Sequence, residues 1–252
     1  VRVAIYAAPG ARAGDAAADL LAARAEQWLG RSATGAPVPE WGELAWTRAA
    51  VDEITVDARR YGFHATLKAP FRLAEGRTLA ELEQALDAFA DERPVVTVPQ
   101  LALSRLGSFF ALVPGAPAEA LYALAAEIVK TFDGFRAAPN EAELARRNPA
   151  GMSARQRELF ERWGYPYVLD EFRFHLTLTD RIPAEQRAEV EGTLADWFAG
   201  VIGHDIPLDA LALFIEPEPG APFRLHTVHP LRPATELLAS ARTTGTTRKT
   251  VE

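Results

Sequence analysis

The sequence predicts an α+β protein assembled from two copies of one β-α-β-β unit, and three observations carry that prediction. Phe-His-Ala-Thr-Leu at 63 to 67 and Phe-His-Leu-Thr-Leu at 174 to 178 agree at four of five positions. Each stretch alternates apolar and polar residues with the period of two that marks a half-buried strand. Each is followed by the same order of elements, an amphipathic helix and then two strands, so the echo covers a supersecondary unit rather than five residues.

The elements follow in order. In RVAIYAA, residues 2 to 8, Val3 and Ile5 point one way and Ala4 and Tyr6 the other, as in a strand. Asp15 to Leu29 reads as a helix, with Ala18, Leu21, Ala25 and Trp28 on one stripe and Gly30 as its stop. A Pro/Gly turn at 35 to 42 leads into a second helical stretch, Glu43 to Val56, and then into the first motif strand, 60 to 72. The helix Thr78 to Glu92 has Leu79, Leu82, Leu86 and Phe89 in register, and strands 95 to 104 and 108 to 113 meet at Leu106-Gly107. These make the first unit, about 60 to 114. The second, about 171 to 231, repeats the order: strand 171 to 180, helix Ala184 to Ala199, strand 206 to 216, a Pro/Gly turn, strand 223 to 231. Between the units, 118 to 164 reads as a helical insertion able to cover one side of a site. It holds a helix from Ala118 to Phe132 and two shorter ones broken at Asn148-Pro149-Ala150-Gly151. Residues 1 to 232 are expected to form one domain and 233 to 252 a polar C-terminal tail.

Composition narrows the chemistry. A chain of 252 residues with 48% hydrophobic and 24% charged content can bury a substantial core. No apolar run reaches the ~20 residues that cross a bilayer, and VRVAIYAAPGARAGD lacks the apolar stretch of a signal peptide, so a cytoplasmic protein without a membrane partner is expected. The absence of cysteine removes disulfides, thiolate metal sites and thiol nucleophiles. A net charge of -7 argues against a broad nucleic-acid-binding face, while leaving room for a small phosphorylated substrate or a short RNA end. Nothing in the composition bears on oligomeric state.

Strand parity then groups side chains. Arg60, Gly62, His64, Thr66 and Lys68 share one face of the first motif, against Tyr61, Phe63, Ala65, Leu67 and Ala69. In the second, Arg173, His175, Thr177 and Thr179 stand against Phe172, Phe174, Leu176 and Leu178. The apolar faces suit packing beneath the following helix. If the polar faces meet across a pseudo-twofold axis, they make one cleft of two imidazoles, hydroxyls and cations, a set that suits a phosphodiester. A neutral imidazole can take a proton from the attacking oxygen while a protonated one supplies the leaving oxygen. Threonine, lysine and arginine can donate to the non-bridging oxygens. This scheme requires no metal and no cofactor. His226 and His229, three apart on a strand, face opposite sides and do not make a metal pair unless the strand is bulged. Arg60 and Lys68 can equally serve to solvate a strand edge.

The paired His-x-Thr motifs, each on a strand with an apolar opposite face, resemble the 2H phosphoesterase superfamily. The resemblance runs over about residues 1 to 232 and implies a bilobal α+β fold: two pseudo-symmetric antiparallel sheets flanked by helices, with a central cleft. It implies His64 and His175 as the acid-base pair and Thr66 and Thr177 as phosphate-oxygen ligands. Tyr6, Arg60, Lys68 and Arg173 are added as substrate-binding candidates from strand parity and position. RVAIYAAP, RRYGFHATLKAPFRL and YPYVLDEFRFHLTLT look like a branch of that superfamily encoded beside phosphonate-degradation genes. That likeness implies hydrolysis of a cyclic phosphate, in particular a phosphoribosyl cyclic phosphate. The alternatives are an RNA-end 2′,3′-cyclic phosphodiesterase and a non-catalytic protein that binds a phosphorylated metabolite in the same cleft. Which histidine is acid and which base stays open.

Overall fold

The computed structural model describes residues 1–39, 46–141, 143–144 and 151–237. Strand β1 (Arg2–Ala7) leads to helix α1 (Ala16–Leu29), where Asp15 accepts from the Ala17 and Ala18 amides and Gly30 closes the last turn in the left-handed region. The helix expected over 43 to 56 is instead two short ones, α2 (Arg48–Glu53) and α3 (Val56–Tyr61). Thr55 separates them, its hydroxyl donating back to the Val51 carbonyl at 2.8 Å; residues 40 to 45 lie outside the described residues.

Strand β2 (Ala65–Phe71) carries the first motif and is followed by α4 (Leu79–Asp91), which opens with a Thr78/Glu81 capping box. Both long strands that were expected to follow a motif helix break in two. The first becomes β3 (Val96–Val98) and β4 (Ala102–Leu106), separated at Gln100 with φ 47°. The second becomes β7 (Ile206–Leu208) and β8 (Ala210–Glu216). Strand β5 (Phe109–Val113) precedes α5 (Glu119–Thr131) and α6 (Ala154–Trp163); the second motif strand, expected over 171 to 180, is only β6 (Leu176–Thr177), and α7 (Arg187–Trp197) and β9 (Arg224–Pro230) follow. The expected Asn148-Pro149-Ala150-Gly151 break falls mostly outside the described residues, as do 238 to 252 of the expected tail, while 234 to 237 form one helical turn.

The sheets exchange parts between the two units. One sheet runs β2-β1-β8-β9, the other β4-β5-β6, and β3 pairs with β7, all antiparallel. The first motif strand therefore shares a sheet with the hairpin that follows the second motif, and the second motif strand with the hairpin that follows the first. The helices obey the same exchange. Helix α5 packs on β2 and β3, and α1 packs on β7 and reaches the second motif through Trp28, whose indole Nε1 donates to the Leu178 carbonyl at 2.7 Å. Helix α5 thus stands to the second motif as α1 stands to the first, so the stretch from 118 is not wholly an insertion. The repeat is one helix longer than the β-α-β-β unit.

The expected apolar faces form the core. Phe63, Ala65, Leu67, Phe174, Leu176 and Leu178 are buried in one cluster that runs through α1, α4, α5 and both larger sheets. Full burial of a large apolar side chain stabilises the fold by ~1.5–3 kcal/mol, so the motif strands are anchored from behind. The opposite face of β1 and β8 carries a second cluster, Ala4, Tyr6, Ala212, Phe214 and Phe223. Among the described residues, no helix is long and apolar enough to cross a membrane.

Candidate active site

The local chain places each imidazole by the same device. His64 Nδ1 lies 2.9 Å from the Gly62 carbonyl oxygen and His175 Nδ1 lies 2.7 Å from the Arg173 carbonyl oxygen, in each case two residues upstream. A carbonyl oxygen only accepts, so Nδ1 carries the proton in both rings and Nε2 is the free base of the neutral form. Gly62 makes this possible in the first motif: φ 74°, ψ 175° is a backbone conformation that side chains oppose.

Helix α3, which delivers the chain to Gly62, is held at both ends by distant residues. Asp180, just past the second motif, accepts from the Asp57 amide at 3.1 and 3.0 Å and from the Ala58 amide at 3.0 Å. Its own amide donates to the Ile54 carbonyl at 2.7 Å. At the other end, Arg31 donates to the Arg59 and Arg60 carbonyls at 2.9 and 3.0 Å. The approach to the first histidine is thus fastened to the strand of the second.

Two adjoining cavities, of about 560 and 540 Å³, lie between the motifs. The first is lined by Tyr6, His64, Thr66 and Thr177, the second by Arg173 and His175; Thr66, Phe109 and Tyr165 belong to both walls. Tyr6 stacks on His64 with ring centroids 3.8 Å apart, and Thr66 Oγ1 lies 3.3 Å from His64 Nε2. Burial holds the His64 pKa down at about 4, against the pull of the Gly62 carbonyl and helped by the charge of His175 across the cleft. The His175 pKa is also lowered by burial, opposed by the Arg173 carbonyl. Tyr6 is fully buried; burial above all raises its pKa well beyond the ordinary value, so its hydroxyl stays protonated, and that hydroxyl has no partner among the described residues.

His64, His175, Thr66, Thr177, Tyr6 and Arg173 are therefore brought together, and Arg173, exposed at the rim, has no acidic partner among the described residues. Two of the expected cations are not with them. Strand β2 bulges at Leu67, since Tyr6 pairs with Thr66 but Ile5 pairs with Lys68. The inserted residue turns Lys68 to the core face, where Nζ donates to the Val129 carbonyl at 3.2 Å and meets Asp133 at 3.4 Å. Burial lowers its pKa to about 8, partly restored by Asp133. Ala69, expected on the apolar face, is buried and also lines the cleft. Arg60 lies in the last turn of α3 rather than on a strand, and pairs with Glu216 at 2.7 Å. A bulge also changes the C-terminal histidines: β9 gains a residue at His226, so His226 reaches Glu83 and His229 reaches Asp87, each at 2.6 Å, on one face of α4.

The cleft also contains residues that sequence reasoning missed. Arg2, Tyr61 and Arg181 line the first cavity, and Tyr165 and Tyr167 the second. Tyr165 and Tyr167 follow α6 in Gly-Tyr-Pro-Tyr, just past the end of the insertion expected over 118 to 164.

Residues 66–224 match the family described as a protein of unknown function, DUF1045. Two curated relatives carry the name ribose 1,5-bisphosphate phosphokinase PhnN. The one from Janthinobacterium sp. (strain Marseille) is 41% identical over 202 residues, covering 78% of this chain and 44% of its own length. The one from Laribacter hongkongensis (strain HLHK9) is 38% identical over 204 residues, covering 79% of this chain and 45% of its own. The chain thus spans less than half the length of either relative.

Proposed function

The chain belongs to the DUF1045 family of proteins of unknown function, and from the paired imidazoles in its cleft we propose that it is a metal-independent phosphoesterase that opens a cyclic phosphate, most specifically a phosphoribosyl cyclic phosphate formed in phosphonate degradation. The observation that carries the reading is the twin setting of His64 and His175, each with Nδ1 held by the carbonyl two residues upstream and each on the wall of a joined cleft with Thr66 between them.

In this reading the fully buried His64 is the base and His175 the acid. His64, neutral at pH 7, takes a proton on Nε2 from water as its oxygen bonds to phosphorus. One ring P–O bond breaks, and the protonated His175 gives its Nε2 proton to the departing oxygen. A bound phosphate anion favours the imidazolium this requires. Thr66, Thr177 and the Tyr6 hydroxyl donate to the non-bridging oxygens, and Arg173 balances their charge.

The relatives' name supports a phosphorylated ribose as the substrate class. Their kinase activity is not proposed for this chain. Its three lysines, Lys68, Lys130 and Lys249, follow Leu, Val and Arg, so it contains no Gly-Lys of a phosphate-binding loop, and the name belongs to polypeptides more than twice the matched length. The 2H-like arrangement and the phosphonate link rest on the twin motifs together with these names.

The test is a panel of ribose 1,2- and 2′,3′-cyclic phosphates assayed with chelator present, using the native chain, His64→Ala and His175→Ala. Turnover of at least one cyclic phosphate, resistant to chelator and lost in both variants, is expected. Turnover that vanishes with chelator, or that survives both substitutions, refutes the mechanism. Tight binding without turnover establishes the non-catalytic alternative.

A further inference from the structure

Beside the histidine cleft lies a third cavity, of about 250 Å³, whose charged wall holds four guanidinium groups, Arg2, Arg60, Arg72 and Arg136, against one carboxylate, Glu143. It adjoins the first cavity, since Arg2, Tyr61 and Pro70 line both. Three carboxylates offset these four cations. Glu216, 1% exposed, is shared by Arg2 and Arg60; Glu143 takes Arg72 at 3.2 Å; Asp133 takes Arg136 at 2.8 Å. Burial pushes the Glu216 carboxyl up, but Arg2, the Gly220 amide and Arg60 outweigh it and bring the pKa down to about 2.

The pairing leaves donors over. Arg2 uses Nε, Arg60 Nη2, and Arg72 and Arg136 use Nε and Nη2, so each guanidinium keeps Nη1 without an acceptor among the described residues. The Arg60 Nε is also buried without a partner. Gly164 helps admit Arg136: a Cβ there would stand 2.9 Å from Arg136 Nη1. Four cations around a small cavity, with a net positive charge and unclaimed donors, match the tetrahedral oxygens of a phosphate monoester.

We propose that this four-arginine cavity is a second anion subsite that holds a terminal phosphate monoester of the substrate while its cyclic phosphate lies between His64 and His175. The inference rests on the proposed reaction and narrows its substrate to a sugar carrying two phosphate groups. Binding energy from the terminal phosphate would orient the reacting ring, a remote contact used to position the chemistry.

The test compares a ribose cyclic phosphate with and without a 5-phosphate as substrates, in the native chain, Arg72→Gln and Arg2→Gln. Binding of ribose 5-phosphate is measured by calorimetry on the same proteins, and thermal unfolding checks that each is folded. In the native chain the terminal phosphate is expected to raise kcat/KM ~10-fold or more, the effect of one or more charge-assisted hydrogen bonds. In the variants that ratio should fall toward one, and ribose 5-phosphate should bind ~10-fold more weakly. Should Arg2→Gln fail to fold, Arg72→Gln, whose side chain is 38% exposed, decides alone. A ratio and an affinity unchanged in a folded variant overturn the subsite while leaving cyclic phosphate hydrolysis standing. If neither cyclic phosphate is opened, the proposed reaction falls, and the ribose 5-phosphate affinities alone support or overturn the subsite.

Discussion

The burial that keeps His64 neutral carries a thermodynamic consequence. Its folded pKa of about 4 lies below the ordinary 6.5, so between those values the unfolded chain binds more protons than the folded one. Stability therefore rises with pH through this window: the contribution is fully present above about 6.5 and is lost as pH falls toward 4. Taking the two pKa values as they stand, acidifying from about pH 7.5 to about pH 4.5 removes ~2.5 kcal/mol through this one group. That is a large share of a marginal folding free energy. The assay is urea unfolding of the native chain and His64→Gln at both pH values. Glutamine does not titrate, so the variant should lose ~2.5 kcal/mol less than the native chain on acidification. The Glu216 carboxylate, with its pKa lowered to about 2, affects both proteins alike and cancels in the difference. A direct check follows the His64 ring protons by NMR. Titration of that ring near 6.5, with equal acid sensitivity in both proteins, would refute the claim that the cleft excludes the charged imidazole.

Three further perturbations separate positioning from packing. Tyr6→Phe removes a buried hydroxyl that lacks a partner among the described residues, so urea unfolding should show stability unchanged or raised, while kcat for the cyclic phosphate falls ~10-fold through loss of a donor. Asp180→Ala uncaps α3 and should cost ~1–2 kcal/mol in stability, with a larger loss of kcat than of substrate affinity because His64 drifts; Asp180→Asn, which can still accept from the Asp57 and Ala58 amides, should restore most of both. Gly62→Ala forces a side chain onto φ 74°, ψ 175° and toward Ala33 Cβ at 3.1 Å, so it should destabilise by ~1–3 kcal/mol and change the His64 pKa, while Gly35→Ala, whose added Cβ meets nothing within 4 Å, should leave that pKa unmoved.

The parts of this site that were legible in the sequence are those that depend on neighbours along the chain. Alternation over two residues places His64 with Thr66 and His175 with Thr177, and places Phe63, Leu67, Phe174 and Leu178 behind them. Alternation fails where a residue is inserted. The bulge at Leu67 carries no mark in Thr-Leu-Lys-Ala-Pro, yet it sends Lys68 to the core and Ala69 to the cleft. Arg60 was misplaced for a related reason, since α3 is a six-residue helix that owes its ends to Asp180 and Arg31 rather than to local propensity. Arg2 and Tyr165 reach the cleft only through tertiary packing, and no local pattern could have selected them. The likeness of α5 to α1 was hidden as well, because an amphipathic helix records a buried stripe and not the strand it covers.

The exchanged hairpins explain how a site split over 111 residues (175 minus 64) stays assembled. In a duplicated protein whose units folded separately, the two histidines would be fixed only by a surface contact between domains. Here the sheet behind His64 takes β8 and β9 from the second unit, and the sheet behind His175 takes β4 and β5 from the first. Strands β3 and β7 pair where the units meet, and the Asp180 carboxylate crosses from the second motif to the helix that leads into the first. Moving one imidazole away from the other therefore means breaking sheet hydrogen bonds and the shared core, not sliding one surface past another. In the proposed reaction the two imidazoles flank one phosphorus atom and gain from that arrangement, because misplacement by ~1 Å can cost ~100-fold in rate. The same exchange holds both imidazoles where burial desolvates them and keeps their pKa values down.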